Sequence, residues 1–188
     1  MKSSRLLSTK KIVMVALMAA LTVAGSALRI KVLSAIVGTN AIHLGNIMCA
    51  LSGILLGPWL GGLAAGLGSA IYDMFDPMYI AEAWLTFLMK GAYGLAAGLI
   101  AHSGSKKWEY GKATVATVAG AVLYAVLYLG KSYLKGVYVK GLTATASMLA
   151  LAEKILPTSF NAVVAIVFAP LLAVAIRKAL VRNHLSLD

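Results

Sequence analysis

The chain alternates between long apolar stretches and short polar segments. The apolar stretches predict helices at about 9–28, 42–56, 58–74, 82–101, 113–131 and 156–176. The run from Val32 to Tyr72 contains no charged residue, and its 41 residues are too many for one membrane span, which needs about 20. We therefore expect this run to fold back at Gly57-Pro58, since proline cannot continue a helix from its interior.

Composition places these helices in a membrane. The 188 residues are 61% hydrophobic and 12% charged, with a mean hydropathy of +0.88, whereas soluble domains carry about 25% charged residues. The apolar stretch 12–28 follows a basic N-terminus and could be part of a signal peptide, but it is long enough to span and is interpreted as a retained first helix. The prediction is an all-α integral membrane protein, a single compact six-helix domain over residues 1–188. Residues 29–41 and 132–154 are expected to be loops, the second with a short helix at 144–152.

The distribution of basic residues predicts the topology. With six spans the termini share a side, and that side carries ten basic residues against six at the opposite end. The positive-inside rule then makes both termini cytoplasmic. Basic residues at span ends explain the net charge of +11 without nucleic acid, which we do not expect as a partner. The six at the opposite end are candidates for function: Arg29, Lys31, Lys131, Lys135, Lys140 and Lys154.

Polar residues interrupt four of the predicted helices near that same end. Because polar groups at membrane depth are costly, they usually line a cavity or pathway, and their convergence predicts a pocket open to one side. Lys90 has two interpretations: it pairs with Asp73 and only fixes helix packing, or it lines a ligand site. The four sets are His43 with Asn46, Glu82 with Thr86 and Lys90, Tyr124 with Tyr128 and Lys131, and Thr158 with Asn161.

Small residues at four-residue spacing predict close helix packing. They occur as Gly53, Gly57 and Gly61, as Gly62 with Gly66, and as Gly94 with Gly98. Ala16, Ala20 and Ala24 repeat the spacing on helix one, either for internal packing or as a face that docks a partner helix.

Two stretches carry a family resemblance. IHLGNIMCALSGILLGPWLGGLAAGLGSAIYD and FLMKGAYGLAAGLI resemble the substrate-binding S-components of energy-coupling-factor (ECF) vitamin transporters. The resemblance implies six helices and a ligand pocket near the outer surface, closed by loops one, three and five. It also implies a bacterial or archaeal cell membrane, tight binding of a vitamin or related micronutrient, and docking on a membrane coupling protein with two cytoplasmic ATPases. The alanines Ala16, Ala20 and Ala24 would contact that coupling protein, and the whole subunit would topple to release its ligand inside.

The leading hypothesis is therefore a substrate-capture subunit of an ECF-type importer that binds one unmodified ligand. Its lysines favour a carboxylate, phosphate or electron-rich carbonyl, and Tyr79, Trp84, Tyr93 and Tyr128 favour a ring that can stack. The expected ligand-binding residues are Asn40, His43, Asp73, Tyr79, Glu82, Lys90, Tyr128, Lys131 and Asn161. No catalytic residue, cofactor or metal is expected, since the three histidines are spread over both sides.

Two alternatives remain open at this point. A small membrane enzyme would use Glu82, Lys90 and His43 for acid–base work on a lipid-like substrate, and it would turn that substrate over. An assembly subunit would pair its polar faces with each other and retain no ligand.

Overall fold

The computed structural model describes residues 9–34, 38–104 and 110–183, with the backbone alone at 31–34 and 38–40. Six α-helices and one β-hairpin make up the described fold. The helices are α1 (Thr9–Ala27), α2 (Gly45–Leu56), α3 (Pro58–Met74), α4 (Ala83–Ala101), α5 (Tyr110–Leu134) and α6 (Ala144–Arg182), and the strands are β1 (Arg29–Ser34) and β2 (Gly38–His43).

The chain turns between α2 and α3 at the expected corner. Gly57 has φ +80°, a backbone conformation that favours glycine. Pro58 follows as the first residue of α3, where its missing N–H costs no helical hydrogen bond. The two residues thus end one helix and start the next with no loop between them.

Glycines bring α2, α3 and α4 into backbone contact. A Cβ added at Gly53 would lie 2.1 Å from the Gly94 carbonyl oxygen, and one at Gly61 would lie 2.4 Å from the Ser52 carbonyl oxygen. A Cβ at Gly98 would lie 2.5 Å from Pro58. The small-residue spacing therefore marks real helix contacts, because only glycine fits at these crossings.

The segment after α1 is a hairpin and not the loop expected at 29–41. β1 and β2 pair antiparallel, with Arg29 opposite His43 and Ser34 opposite Gly38. The fold is still that of an all-α membrane protein, with this short hairpin added to its helices. Each strand is only six residues long, and a two-stranded ribbon needs packing against other elements to be stable.

The second expected loop, 132–154, is also largely helical. α5 continues to Leu134 and passes into a π-helical turn over Lys135–Val139. α6 begins at Ala144, where the Thr143 hydroxyl accepts a hydrogen bond from the Ala146 N–H at 3.2 Å, and it runs through Pro157 and Pro170. Lys154 thus lies within α6, three turns from its start, and no separate helix begins at 156.

Apolar surface dominates the outside of the bundle. Four described helical segments are long and apolar enough to cross a membrane: Thr9–Ala27, Ile80–Ala101, Tyr110–Val139 and Ala144–Arg182. Large apolar side chains are exposed on the outside of these helices and of α3. Examples are Trp59 of α3, Val126 of α5 and Leu156 of α6. Such a surface suits lipid and not water, and the chain is a multi-pass membrane protein.

Candidate functional site

One end of the bundle encloses a polar cavity of about 300 Å³. It lies where α1, α3 and α5 end and where α2, α4 and α6 begin, beside the hairpin. Eight of the nine residues expected to bind ligand line it: His43, Asp73, Tyr79, Glu82, Lys90, Tyr128, Lys131 and Asn161. The ninth, Asn40, is in β2, and its side chain lies outside the described part of the structure.

Lys90 is buried within this cavity wall and is held by Asn46. Its ammonium group donates a hydrogen bond to Asn46 Oδ1 and lies 3.9 Å from the centre of the Tyr124 ring. Among the described residues it forms no ion pair with Asp73, whose neighbour is the Thr86 hydroxyl. Lys90 is thus satisfied by an amide oxygen and an aromatic face, which leaves its positive charge without a neutralising carboxylate.

Three tyrosines form a stacked row from the core to the cavity. Tyr93 and Tyr124 have ring centres 5.9 Å apart, and Tyr124 and Tyr128 are 5.7 Å apart, with interplanar angles of 25° and 19°. Tyr124 and Tyr128 line the cavity, but Tyr93 is fully buried behind them and Trp84 is 62% exposed on the outside. Of the rings proposed for stacking, Tyr93 and Trp84 therefore do not line the cavity, whereas Tyr79 and Tyr128 do.

Glu82 pairs with two lysines at the other side of the cavity. Its carboxylate accepts hydrogen bonds from Lys131, at 2.5 Å, and from Lys135. Lys154 donates to the Ser132 hydroxyl at 3.0 Å, and its ammonium group lies 5.1 Å from the Tyr128 ring. This cluster joins α5, the π-helical turn and α6 around the cavity.

Asn161 contacts the hairpin through both ends of its amide. Its Oδ1 accepts a hydrogen bond from the His43 N–H at 2.9 Å, and its Nδ2 donates to the Ala41 carbonyl oxygen at 2.9 Å. The side chain therefore pairs with β2 as a neighbouring strand would. Asn161 was expected to face a ligand, but in this structure its polar atoms hold the hairpin against α6.

His43 is neutral in this setting. Burial, followed by the positive charges of Lys90 and Arg29, holds the pKa of His43 well below its ordinary value. Its Nδ1 accepts a hydrogen bond from the Gly45 N–H at 3.1 Å, which requires that nitrogen to be unprotonated. His43 therefore sets the turn between β2 and α2 as well as lining the cavity.

Arg29 lines the cavity but was not among the expected ligand-binding residues. It pairs with Asp76 at 3.4 Å, and its guanidinium lies 4.1 Å from the centre of the Tyr72 ring and 5.5 Å from that of Tyr79. The sequence placed Arg29 only among the six basic residues at the end opposite the termini, which were candidates for function without an assigned role. Asn46, Tyr124 and Lys135 were likewise noticed on the polar faces but not assigned to the site, because spacing gives a shared face and not the partner across it. Lys154 was counted only among the basic residues at that end.

Six basic and two acidic residues line the cavity among those described. The arrangement can bind an anionic or carbonyl-rich molecule that also has a flat ring. No group of three histidine, cysteine, aspartate or glutamate residues within the described ranges is arranged to hold a metal ion. The fold and the site thus define a membrane protein with an internal polar site for a small solute.

Comparison with known sequences identifies the family. The family model described as "ECF-type riboflavin transporter, S component" matches residues 6–178. The chain belongs to this S-component family, as its sequence resemblance indicated. The family is one of transporter components, so the hypothesis of a membrane enzyme is set aside.

A curated relative adds similarity over part of the chain. An "Uncharacterized protein in gap 3'region" of Pyrococcus woesei is 32% identical over 92 residues, which are 49% of this chain. The match spans 59% of that relative's length.

Proposed function

We propose that this chain is the substrate-capture subunit of an ECF-type importer and that it binds riboflavin, or a closely related ring vitamin, in the polar cavity. The observation that carries the proposal is the wall formed by Lys90, Asn46 and Tyr124. A flat heterocycle can lie against the Tyr128 ring, at the cavity end of the tyrosine row, while Lys90 donates to a ring carbonyl and Asn46 donates to or accepts from its neighbour. The cavity of about 300 Å³ is at the lower end of the usual size for small-molecule sites.

The first experiment examines what the protein holds. The protein is purified in mild detergent from cells grown in rich medium and denatured, and the released compounds are identified by mass spectrometry. We expect a flavin at close to one per chain. A protein that carries no small molecule and also fails to bind added riboflavin would contradict the proposal and favour an assembly subunit.

The second experiment locates the binding site by riboflavin titration, followed by quenching of flavin fluorescence. Lys90→Met removes a charge-assisted hydrogen bond and should weaken binding by roughly 10- to 100-fold. Lys178→Met is the matched control, since Lys178 is exposed near the end of α6 and far from the cavity. Equal affinity in the two variants would contradict this location.

We infer the same membrane arrangement that the sequence predicted: six spans, both termini cytoplasmic, and the cavity open to the outside of a bacterial or archaeal cell membrane. α2 and α3, with 12 and 17 residues, are short for spans of about 20, so their crossing depends on the neighbouring elements. Accessibility of single cysteines to a membrane-impermeant reagent tests this, with Cys49 replaced by Ala as the background. A cysteine at Lys178 should react only from inside, and one at Lys140 only from outside.

The proposed partners are a membrane coupling protein and two cytoplasmic ATPases. The support is a face of α1: Ala16, Ala20 and Ala24 are all exposed at four-residue spacing, so a partner helix can approach closely there. Ala20→Phe should prevent co-purification with the coupling protein and leave riboflavin affinity unchanged. Val126→Phe, on an exposed position of α5, is the control and should retain the complex.

A further inference from the structure

The basic residues at the cavity end are not spread over the surface. Lys131, Lys135, Lys140 and Lys154 all line the cavity, as do Arg29 and Lys90. The positive-inside rule explains basic residues at the opposite, cytoplasmic end and predicts few here. A cluster of like charges around one cavity is also mutually repulsive, so it needs a compensating anion.

The described part of the protein supplies too little negative charge for this cluster. Glu82 is already shared between Lys131 and Lys135, and Arg29 is paired with Asp76. Asp73, the second acidic residue that lines the cavity, is hydrogen-bonded to Thr86, so two carboxylates face six basic side chains there. Among the described residues, neither Lys140 nor Lys154 has a carboxylate within ion-pair distance. The lysines therefore keep positive charge available at one side of the cavity.

An unsatisfied hydroxyl lies in the same wall. Ser147 lines the cavity and is 1% exposed, and its Oγ has no hydrogen-bond partner. It packs beside Gly136, in the π-helical turn that precedes Lys140. A buried hydroxyl without a partner is uncommon in a folded protein, and a ligand oxygen would satisfy it.

The cluster adjoins the aromatic wall. The ammonium groups of Lys131 and Lys154 lie 5.5 Å and 5.1 Å from the centre of the Tyr128 ring, which stacks on Tyr124 beside Lys90. A ligand whose ring rests on this wall would therefore carry its side chain past these lysines. This geometry suits a ring compound with an anionic tail, because a neutral tail could not form an ion pair with the lysines.

We propose that Lys140, Lys154 and Ser147 form an anion subsite and that the preferred ligand is a phosphate monoester of the ring vitamin. The proposal rests on the proposed function, because the ring must occupy the cavity for its tail to reach the lysines. Lysine ammonium groups bind phosphate as point charges, with strong charge-assisted hydrogen bonds. The same chemistry would hold a lipid phosphate, so the experiment must separate these two sources.

The test compares riboflavin with riboflavin 5′-phosphate on the full-length protein. Wild type should bind the phosphate ester at least about tenfold more tightly, as one charge-assisted contact permits. Lys140→Gln with Lys154→Gln should abolish this preference by lowering ester affinity at least about tenfold more than riboflavin affinity, so the ratio of the two affinities is the measurement. Ser147→Ala should lower ester affinity alone, and Lys178→Gln, far from the cavity, should change neither affinity.

Each other outcome has a distinct meaning. If riboflavin binds but the ester has no advantage, the anion subsite is wrong and the proposed function stands. If neither compound binds, both proposals fail. Inorganic phosphate should compete with the ester and not with riboflavin; if vesicles containing phosphatidylglycerol remove the ester's advantage and phosphate does not, the lysines hold lipid and the proposal is overturned.

Discussion

The glycine crossings of α2, α3 and α4 and the cavity end of the same helices are built in opposite ways. At Gly53, Gly61 and Gly98 the backbones touch and no side chain fits between them. At the cavity end, long side chains instead pair between elements: Lys90 of α4 with Asn46 of α2, and Lys131 of α5 with Glu82, just before α4. The glycine crossings are stabilised by close backbone packing. The cavity end instead contains an open space and charged side chains, which folding alone does not require. The difference supports the proposal that the cavity binds a solute, since buried polar residues are costly in a membrane.

The largest expected effect comes from filling a glycine crossing. Gly53→Ala would place a methyl group 2.1 Å from the Gly94 carbonyl oxygen, and backbone on both sides leaves no side chain to move aside. We expect a loss of at least about 3 kcal/mol, the upper end of overpacking costs, measured as a lower melting temperature in detergent.

Gly130→Ala is the matched control for that substitution. Gly130 lies in α5 with no heavy atom within 4 Å of the added methyl group. The change should be neutral or stabilising by about 0.5 kcal/mol, because alanine is the better helix former. Equal melting temperatures for the two variants would mean that the crossing tolerates a side chain, and the contrast between the two regions would fail.

The contact between Asn161 and the hairpin is expected to have an intermediate effect. Asn161→Leu removes two hydrogen bonds, worth together about 2 kcal/mol, and loosens β2 from α6 while leaving the helix crossings intact. Amide hydrogen exchange at Ala41–His43 should accelerate with little change in α2–α4. Thr158→Val, one turn away in the same cavity wall, should leave exchange unchanged. If Asn161→Leu leaves it unchanged too, Asn161 does not hold the hairpin.

The smallest effect concerns His43 and pH. Because its folded pKa lies well below that of the unfolded chain, only the unfolded state takes up this proton as the pH falls below about 6.5. The stability contributed by neutral His43 is complete above that pH and declines below it, by at most about 1.4 kcal/mol per pH unit. His43→Gln should flatten the fall in melting temperature between pH 7 and pH 5. If the melting temperature of the variant falls as much as that of wild type, other titrating groups cause the pH dependence.

Periodicity predicted the cavity better than it predicted the connections. A helical repeat puts Glu82 and Lys90 on one face, and several such faces at one end led to eight lining residues. The hairpin was missed because two six-residue strands that mix Arg29, Lys31 and Asn40 with apolar residues look like a loop. The continuity of α6 was missed because Pro157 can end a helix or lie within one, and neighbouring residues do not decide which.

Contacts between residues far apart in sequence could not be predicted either. Asn161 pairs with residues 118 and 120 positions away. Lys90 bonds to Asn46, whereas the sequence had suggested Asp73 as its protein partner. A pattern along one helix identifies which residues face inward, but the atoms they meet depend on packing between helices.

The length of α6 has a consequence for how a solute reaches the site. Its 39 residues extend about 58 Å, nearly twice the hydrocarbon thickness of about 30 Å, so more than a third of the helix lies outside the lipid tails. On the proposed arrangement, with the cavity open to the outside, the turns that carry Ser147 would stand in the headgroup region or in water, and the entrance would meet solvent directly. The solute then reaches the protein by diffusion through water. For an anionic solute the association rate should fall as ionic strength rises, because salt screens the attraction of the lysines. At physiological salt that attraction extends only about 8 Å.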